Sequence, residues 1–205
     1  MYPMYSLEHL ALMSSSSSTM DGVSTASTDR ATSVLHTTNI RKPYNGDAAA
    51  KINVGSWGHP EACRKPCLYF SQGICRSGAN CGYCHMPHEW NANGLDKWQR
   101  QIFHQMSNQD AVALIYPHIC DRVMESQFPA QSRRILDVVR EELPQRWKCY
   151  LDQQAFERFN RCLEHLPLSS LVALICKKYD RQPFAAEVSK EMNHLRATVA
   201  HLVNL

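Results

Sequence analysis

Five of the nine cysteines in this chain fall within 22 residues, from Cys63 to Cys84, and His85 follows directly. The same stretch is broken by Gly58, Gly73, Gly78 and Gly82, with Gly55 just ahead of it. Glycines at that density preclude long helices, and a loop-rich unit this short buries too little apolar surface to fold without a staple. The other four cysteines, Cys120, Cys149, Cys162 and Cys176, are widely spaced in apolar, helix-periodic sequence. A disulfide scaffold would distribute paired cysteines through a small secreted domain, and an odd total leaves one thiol over. The distribution therefore reads as one local metal site plus scattered buried thiols, in a reducing, intracellular compartment, nucleus or cytoplasm.

The spacing within the cluster is Cys67-x7-Cys75-x5-Cys81-x3-His85. Three thiolates and one neutral imidazole complete the closed tetrahedron of a single structural zinc ion, with short loops to wrap it and Gly73 and Gly78 where those loops turn. Two other ligand sets compete. Cys63 and Cys67 with Cys81 and Cys84 would make a four-cysteine site and leave Cys75 and His85 spare. A two-zinc arrangement would add His59 and His88, but two closed sites within some 30 residues are expected to be crowded. The first set is preferred; Cys63 and Cys84 are then non-ligands beside the ion, and His59 and His88 surface or packing residues. A catalytic zinc would need an open position and a nearby base, and four filled positions leave none.

The spacing resembles the CCCH zinc finger of RNA-binding proteins, over about 27 residues of the chain. Phe70 stands three residues after the first ligand, Gly73 two before the second, Gly78 three after it and Tyr83 two before His85, all usual places for such residues in that family. The lead-in Gly58-His59-Pro60-x-x-Cys63-x-x-Pro66-Cys67 and the ending Cys84-His85-x-x-His88 further resemble single-finger CCCH proteins of alveolate protists. One place departs from the pattern: Ser77 stands where members carry an aromatic two residues after the second ligand. The resemblance implies binding of single-stranded RNA, by base stacking and backbone contacts. Tyr69, Phe70 and Tyr83 are the candidate platforms, and Arg64, Lys65 and Arg76 the candidate phosphate or base partners. A different role fits the same residues: Phe70 covering the metal, Arg64 and Lys65 offsetting thiolate charge, and the finger bracing a protein-interaction adaptor. The net charge of +1 over residues 57–92 and the absent aromatic at Ser77 favour that rival.

Three regions follow. Residues 1–56, rich in Ser, Thr and Ala with balanced charges, show no sustained period and are expected to be a disordered tail. Residues 57–92 hold the finger. Residues 93–205 are expected to form an all-α domain, because glycine ends at Gly94 and apolar residues recur three and four apart. The stripes are Leu95, Trp98, Ile102 and Met106; Val112, Ile115, Ile119 and Val123, with a kink or break at Pro117; Ile135, Val138, Val139 and Leu143 after a first-turn Pro129; and Ala155, Phe156, Phe159, Cys162, Leu163 and Leu166, stopped by Pro167. Ser169 or Ser170 is expected to cap a helix running to Cys176. Phe184, Val188, Met192, Leu195, Val199 and Leu202 line a last long helix, whose 4-3-4-3 seam suits either the chain's own core or a short coiled coil. Val112-Ala113-Leu114-Ile115 recurs as Val172-Ala173-Leu174-Ile175, a match of the length two amphipathic helices share by chance.

A formal net charge of +3 excludes a polycation mode of nucleic-acid binding. No stretch approaches the roughly 20 apolar residues of a membrane span, and Met1–Met20 lacks the basic start and apolar core of a signal peptide. His104, His118, His165 and His194 read as ordinary helix residues, no phosphate-binding glycine loop occurs, and no motif supports an enzyme.

Overall fold

The computed structural model describes residues 52–88 and 94–203; the expected tail over 1–51 lies outside the described residues. Helices begin where the sequence supplies caps. α1 is a single turn, Leu68–Ser71, inside the cysteine-rich unit. α2 (Lys97–Gln105) opens with a reciprocal capping box between Asp96 and Gln99. α3 (Asn108–Glu125) is capped by Ser107, α4 (Pro129–Glu141) starts on the proline, and α5 (Gln153–Leu163) is capped by Asp152. α6 (Leu168–Tyr179) and α7 (Pro183–Val203) complete the helical region.

Four of these helices close a ring. α3 packs on α4 and α6, and α7 packs on the same two from the other side. Its centre is filled by Val112, Ile115, Ile119, Ile135, Val139, Leu171, Ile175, Val188 and Leu195, all essentially without solvent contact. The repeated Val-Ala-Leu-Ile segments sit on the packed pair α3 and α6, each placing its Val and last Ile inside. α2 and α5 lie outside the ring, joined by the Gln99 amide donating to the Arg158 carbonyl at 3.0 Å and by an Arg158–Asp96 ion pair.

Three expectations change. Pro117 does not end its helix: α3 runs through it, because the turns on both sides, from Ala111 to Ile115 and at His118 and Ile119, are buried and held by neighbours that outweigh the lost hydrogen bond. The seam of α7 is not presented for pairing, since Val188, Met192, Leu195 and Val199 face the chain's own core and only Leu202 is exposed.

α6 begins at Leu168, without a side-chain cap from its own sequence. Its first N–H groups are met from 107 residues away: the Glu61 carboxylate accepts from Leu168 N at 2.9 Å, and the Glu61 carbonyl accepts from Ser169 N at 2.8 Å. Arg196 of α7 donates from Nε to the Ala62 carbonyl at 2.7 Å, and Ala62 itself is buried in the helical core. The segment Glu61–Ala62 is thus built into the helical region. These contacts fix where the cysteine-rich unit sits.

Candidate metal centre

The cysteine-rich unit is organised by a short parallel pairing of Pro66 with Cys84. Cys67 N donates to the Cys84 carbonyl at 2.8 Å and Cys84 N to the Lys65 carbonyl at 2.9 Å. α1 then turns the chain away, its first turn donating from Phe70 N to Cys67 Sγ at 3.4 Å. Gly73 (φ 75°) and Gly78 (φ 48°) take left-handed conformations at the two bends that bring Cys75 and then Cys81 back to Cys67.

The result is one of two ligand groups. Cys67, Cys75, Cys81 and His85 place their ligand atoms within 4.8 Å of one another, with Cys67 and Cys81 sulfurs 3.8 Å apart. Zinc–sulfur bonds of about 2.3 Å at a tetrahedral angle require a sulfur–sulfur edge of about 3.8 Å. His85 Nε2 is buried and has no hydrogen-bond partner, which is how an imidazole nitrogen directed at a metal stands before the ion is counted. Burial holds His85 below the usual histidine range, favouring the neutral ring that binds a metal. The Ser77 N–H and its neighbours lower the Cys75 thiol, while burial raises that of Cys81. Phe70 lies flat against His85, with ring centroids 4.0 Å apart and planes 10° from parallel.

The second group is His59, Cys63, Cys84 and His88, again within 4.8 Å. His59 Nδ1 is 3.6 Å from both sulfurs, and His88 Nε2 is 3.9 Å from Cys63 Sγ. The two sulfurs are buried and the two imidazoles half-buried. The hydrogen bond from Cys63 to Cys84 holds the Cys63 thiol up and brings Cys84 down to about 4. The expected crowding does not arise, and Cys63, Cys84, His59 and His88 are not bystanders to a single ion. Nor does a four-cysteine group form: Cys63 and Cys84 stand in one group, Cys67 and Cys81 in the other.

A buried polar brace supports both groups, and it comes from residues expected to belong to the tail. Asn53 Nδ2 donates to the carbonyls of Cys81 (2.7 Å) and Tyr83 (2.6 Å). Ser56 Oγ donates to Asn53 Oδ1, and accepts from His85 N at 3.0 Å and from Cys84 Sγ at 3.2 Å. Gly55, in the 3-10 turn Val54–Ser56, passes so close to Tyr83 that a Cβ would stand 2.3 Å from its carbonyl carbon. The unit therefore begins at about Asn53, not at residue 57. Gly55, adjoining the cluster, was the one sequence signal for it.

Of the candidate contact residues, Arg64, Lys65, Tyr69, Arg76 and Tyr83 are exposed, whereas Phe70 spends a ring face on His85. Arg64, Lys65 and Tyr83 meet His88, Ser170 and Arg196 along a cleft of about 640 Å³ between the cysteine-rich unit and the helices. Burial and the nearby Arg64 charge hold the Arg196 guanidinium below its ordinary range. Sequence periodicity gave no hint of Arg196, which lies on the last helix.

No family model, no curated protein and no solved structure matches this chain. Among the described residues, no helix is long and apolar enough to cross a membrane.

Proposed function

We propose that the chain is a non-enzymatic, zinc-organised protein of the CCCH finger type that binds single-stranded RNA. The observation that carries this reading is the cleft in which Arg64, Lys65 and Arg196 converge beside the exposed ring of Tyr83. Neither of the two ion pairs among the described residues involves these three cations. Zinc bound by Cys67, Cys75, Cys81 and His85 would supply structure, not reactivity: it fixes the loop that carries Tyr83. The brace from Asn53 to the Tyr83 carbonyl holds the same loop from the other side, so the ordering cost of stacking a base on Tyr83 is already met. Arg64 and Lys65 flank that ring and meet phosphates; the charge is small, so affinity rests on stacking more than on counterion release.

A second reading, a protein-interaction adaptor, is favoured by one specific feature. Leu68, Tyr69, Ile74 and Tyr83 are each more than half exposed on a unit of under 40 residues, an apolar surface that also suits a protein partner. The test is titration of labelled single-stranded RNA pools with the full chain, zinc content monitored in parallel. RNA binding that falls roughly ten- to a hundredfold in Tyr83→Ala, at unchanged zinc content, is expected from a stacking contact of about 1–3 kcal/mol. A zinc-loaded wild type that binds no RNA pool overturns the reading in favour of the adaptor.

A further inference from the structure

We propose that His59, Cys63, Cys84 and His88 bind a second zinc ion, and that this ion is the clasp holding the cysteine-rich unit on the helices. The inference is independent of RNA binding. Tetrahedral zinc with bonds of about 2.3 Å to sulfur and 2.0–2.1 Å to nitrogen requires nitrogen–sulfur edges of about 3.5–3.6 Å. The measured edges are 3.6, 3.6 and 3.9 Å. The two imidazoles meet edge to face, centroids 4.8 Å apart at 84°, so that Nδ1 of one and Nε2 of the other converge with the sulfurs on one point.

Charge also fits. Binding releases the two thiol protons to solvent, and two thiolates with two neutral imidazoles exactly offset the charge of a divalent ion. Cys63 and Cys84 are among the most buried residues of the unit, where a neutral complex costs far less than a bare thiolate. Cys84 also donates to Ser56 Oγ, an outer contact of the kind that orients metal ligands. Four protein ligands close the site, as in structural zinc.

What the ion would do follows from which residues lie between its ligands. His59 and Cys63 bracket Glu61 and Ala62, and those two residues make all three hydrogen bonds described above to Leu168, Ser169 and Arg196. Anchoring both ends of that short segment holds Glu61 over the start of α6. Cys84 and His88 tie it to the strand-like segment that also carries the first ligand group.

The test uses the full chain, purified under reducing conditions with excess zinc and then dialysed. Zinc per chain is read by elemental analysis and native mass spectrometry, and thiolate ligation by cobalt replacement. Two zinc ions per chain are expected, with a cobalt–thiolate band reflecting five sulfurs. His88→Ala, at a half-buried position outside the helical core, is expected to lower the content to one, leave a three-sulfur cobalt spectrum, and speed amide exchange at Leu168 and Ser169 at least tenfold. One zinc per chain in the wild type overturns the proposal, as does a two-hydrogen mass loss mapped to a Cys63–Cys84 disulfide in the same preparation. Two zinc ions retained in both His88→Ala and Cys63→Ser also overturn it. RNA affinity enters none of these readouts, so failure of the RNA reading leaves a distinct signature.

Discussion

Cys84 and His85 are adjacent in the chain, yet each belongs to a different ligand group. The cause is local: Cys84 pairs with Pro66 in an extended conformation, where successive side chains point to opposite sides. One group forms on each side of this short pairing, with Cys63 and Cys67 dividing in the same way across Pro66. Two closed sites therefore share one stretch of chain without competing for space.

Gly55→Ala is expected to destabilise the full chain by about 3 kcal/mol, at the upper end of overpacking costs, because the new methyl meets the Tyr83 backbone and not a yielding side chain. Gly82→Ala, where a Cβ meets nothing within 4 Å, should stay within about 0.5 kcal/mol. Urea denaturation of the zinc-loaded protein measures both; equal effects would contradict the close approach.

Removal of the Glu61 carboxylate takes the side-chain cap from α6. Glu61→Ala should cost about 1 kcal/mol, while Glu61→Gln, which keeps an acceptor, should recover part of it. The same denaturation curves, with faster exchange at Leu168 N–H in the alanine variant, check the assignment. Unchanged exchange there would show that the carboxylate does not cap this helix.

Phe70 and Tyr69 are neighbours with opposite expected phenotypes. Phe70 supports the His85 ring, so Phe70→Leu should weaken zinc binding at the Cys67, Cys75, Cys81 and His85 group up to about tenfold, the worth of an aromatic contact. Tyr69 is exposed, so Tyr69→Ala should leave zinc affinity unchanged and act only on a bound partner. Competition with a chelating indicator reads zinc affinity for both.

His118 supplies a pH dependence within the helices. Burial lowers its pKa below the free value of 6.5, and Nε2 lies 3.2 Å from Asn160 Oδ1. The unfolded chain thus takes up this proton at higher pH than the folded one. The contribution of His118 is fully present above pH 6.5 and is lost as pH falls toward its lowered folded value. The stability difference between wild type and His118→Gln should be constant above that pH and shrink on acidification. Taking the difference cancels proton effects on the metal ligands. A gap that widens on acidification would reverse the sign and refute the account.

Much of the helical region was legible because its signals are local. The apolar stripes of α4, α5 and α7, the first-turn Pro129 and the Asp96, Ser107 and Asp152 caps act within a few residues of where they stand. The Cys67, Cys75, Cys81 and His85 grouping was legible for a related reason: ligand spacing is a chain-length constraint, and short loops leave few ways to close. Other features depend on segments that meet only in three dimensions. Glu61 caps a helix 107 residues away, Arg196 enters the cleft from the last helix, and Asn53 and Ser56 brace loops some 30 residues on. Pro117 remains helical because the packed ring around α3 outweighs one missing hydrogen bond. The second ligand group likewise depended on tertiary structure. Its spacing was visible, but only the Pro66–Cys84 pairing decides that Cys63 and Cys84 face away from Cys67 and His85, because strand pairing, not residue order, sets which way each side chain points.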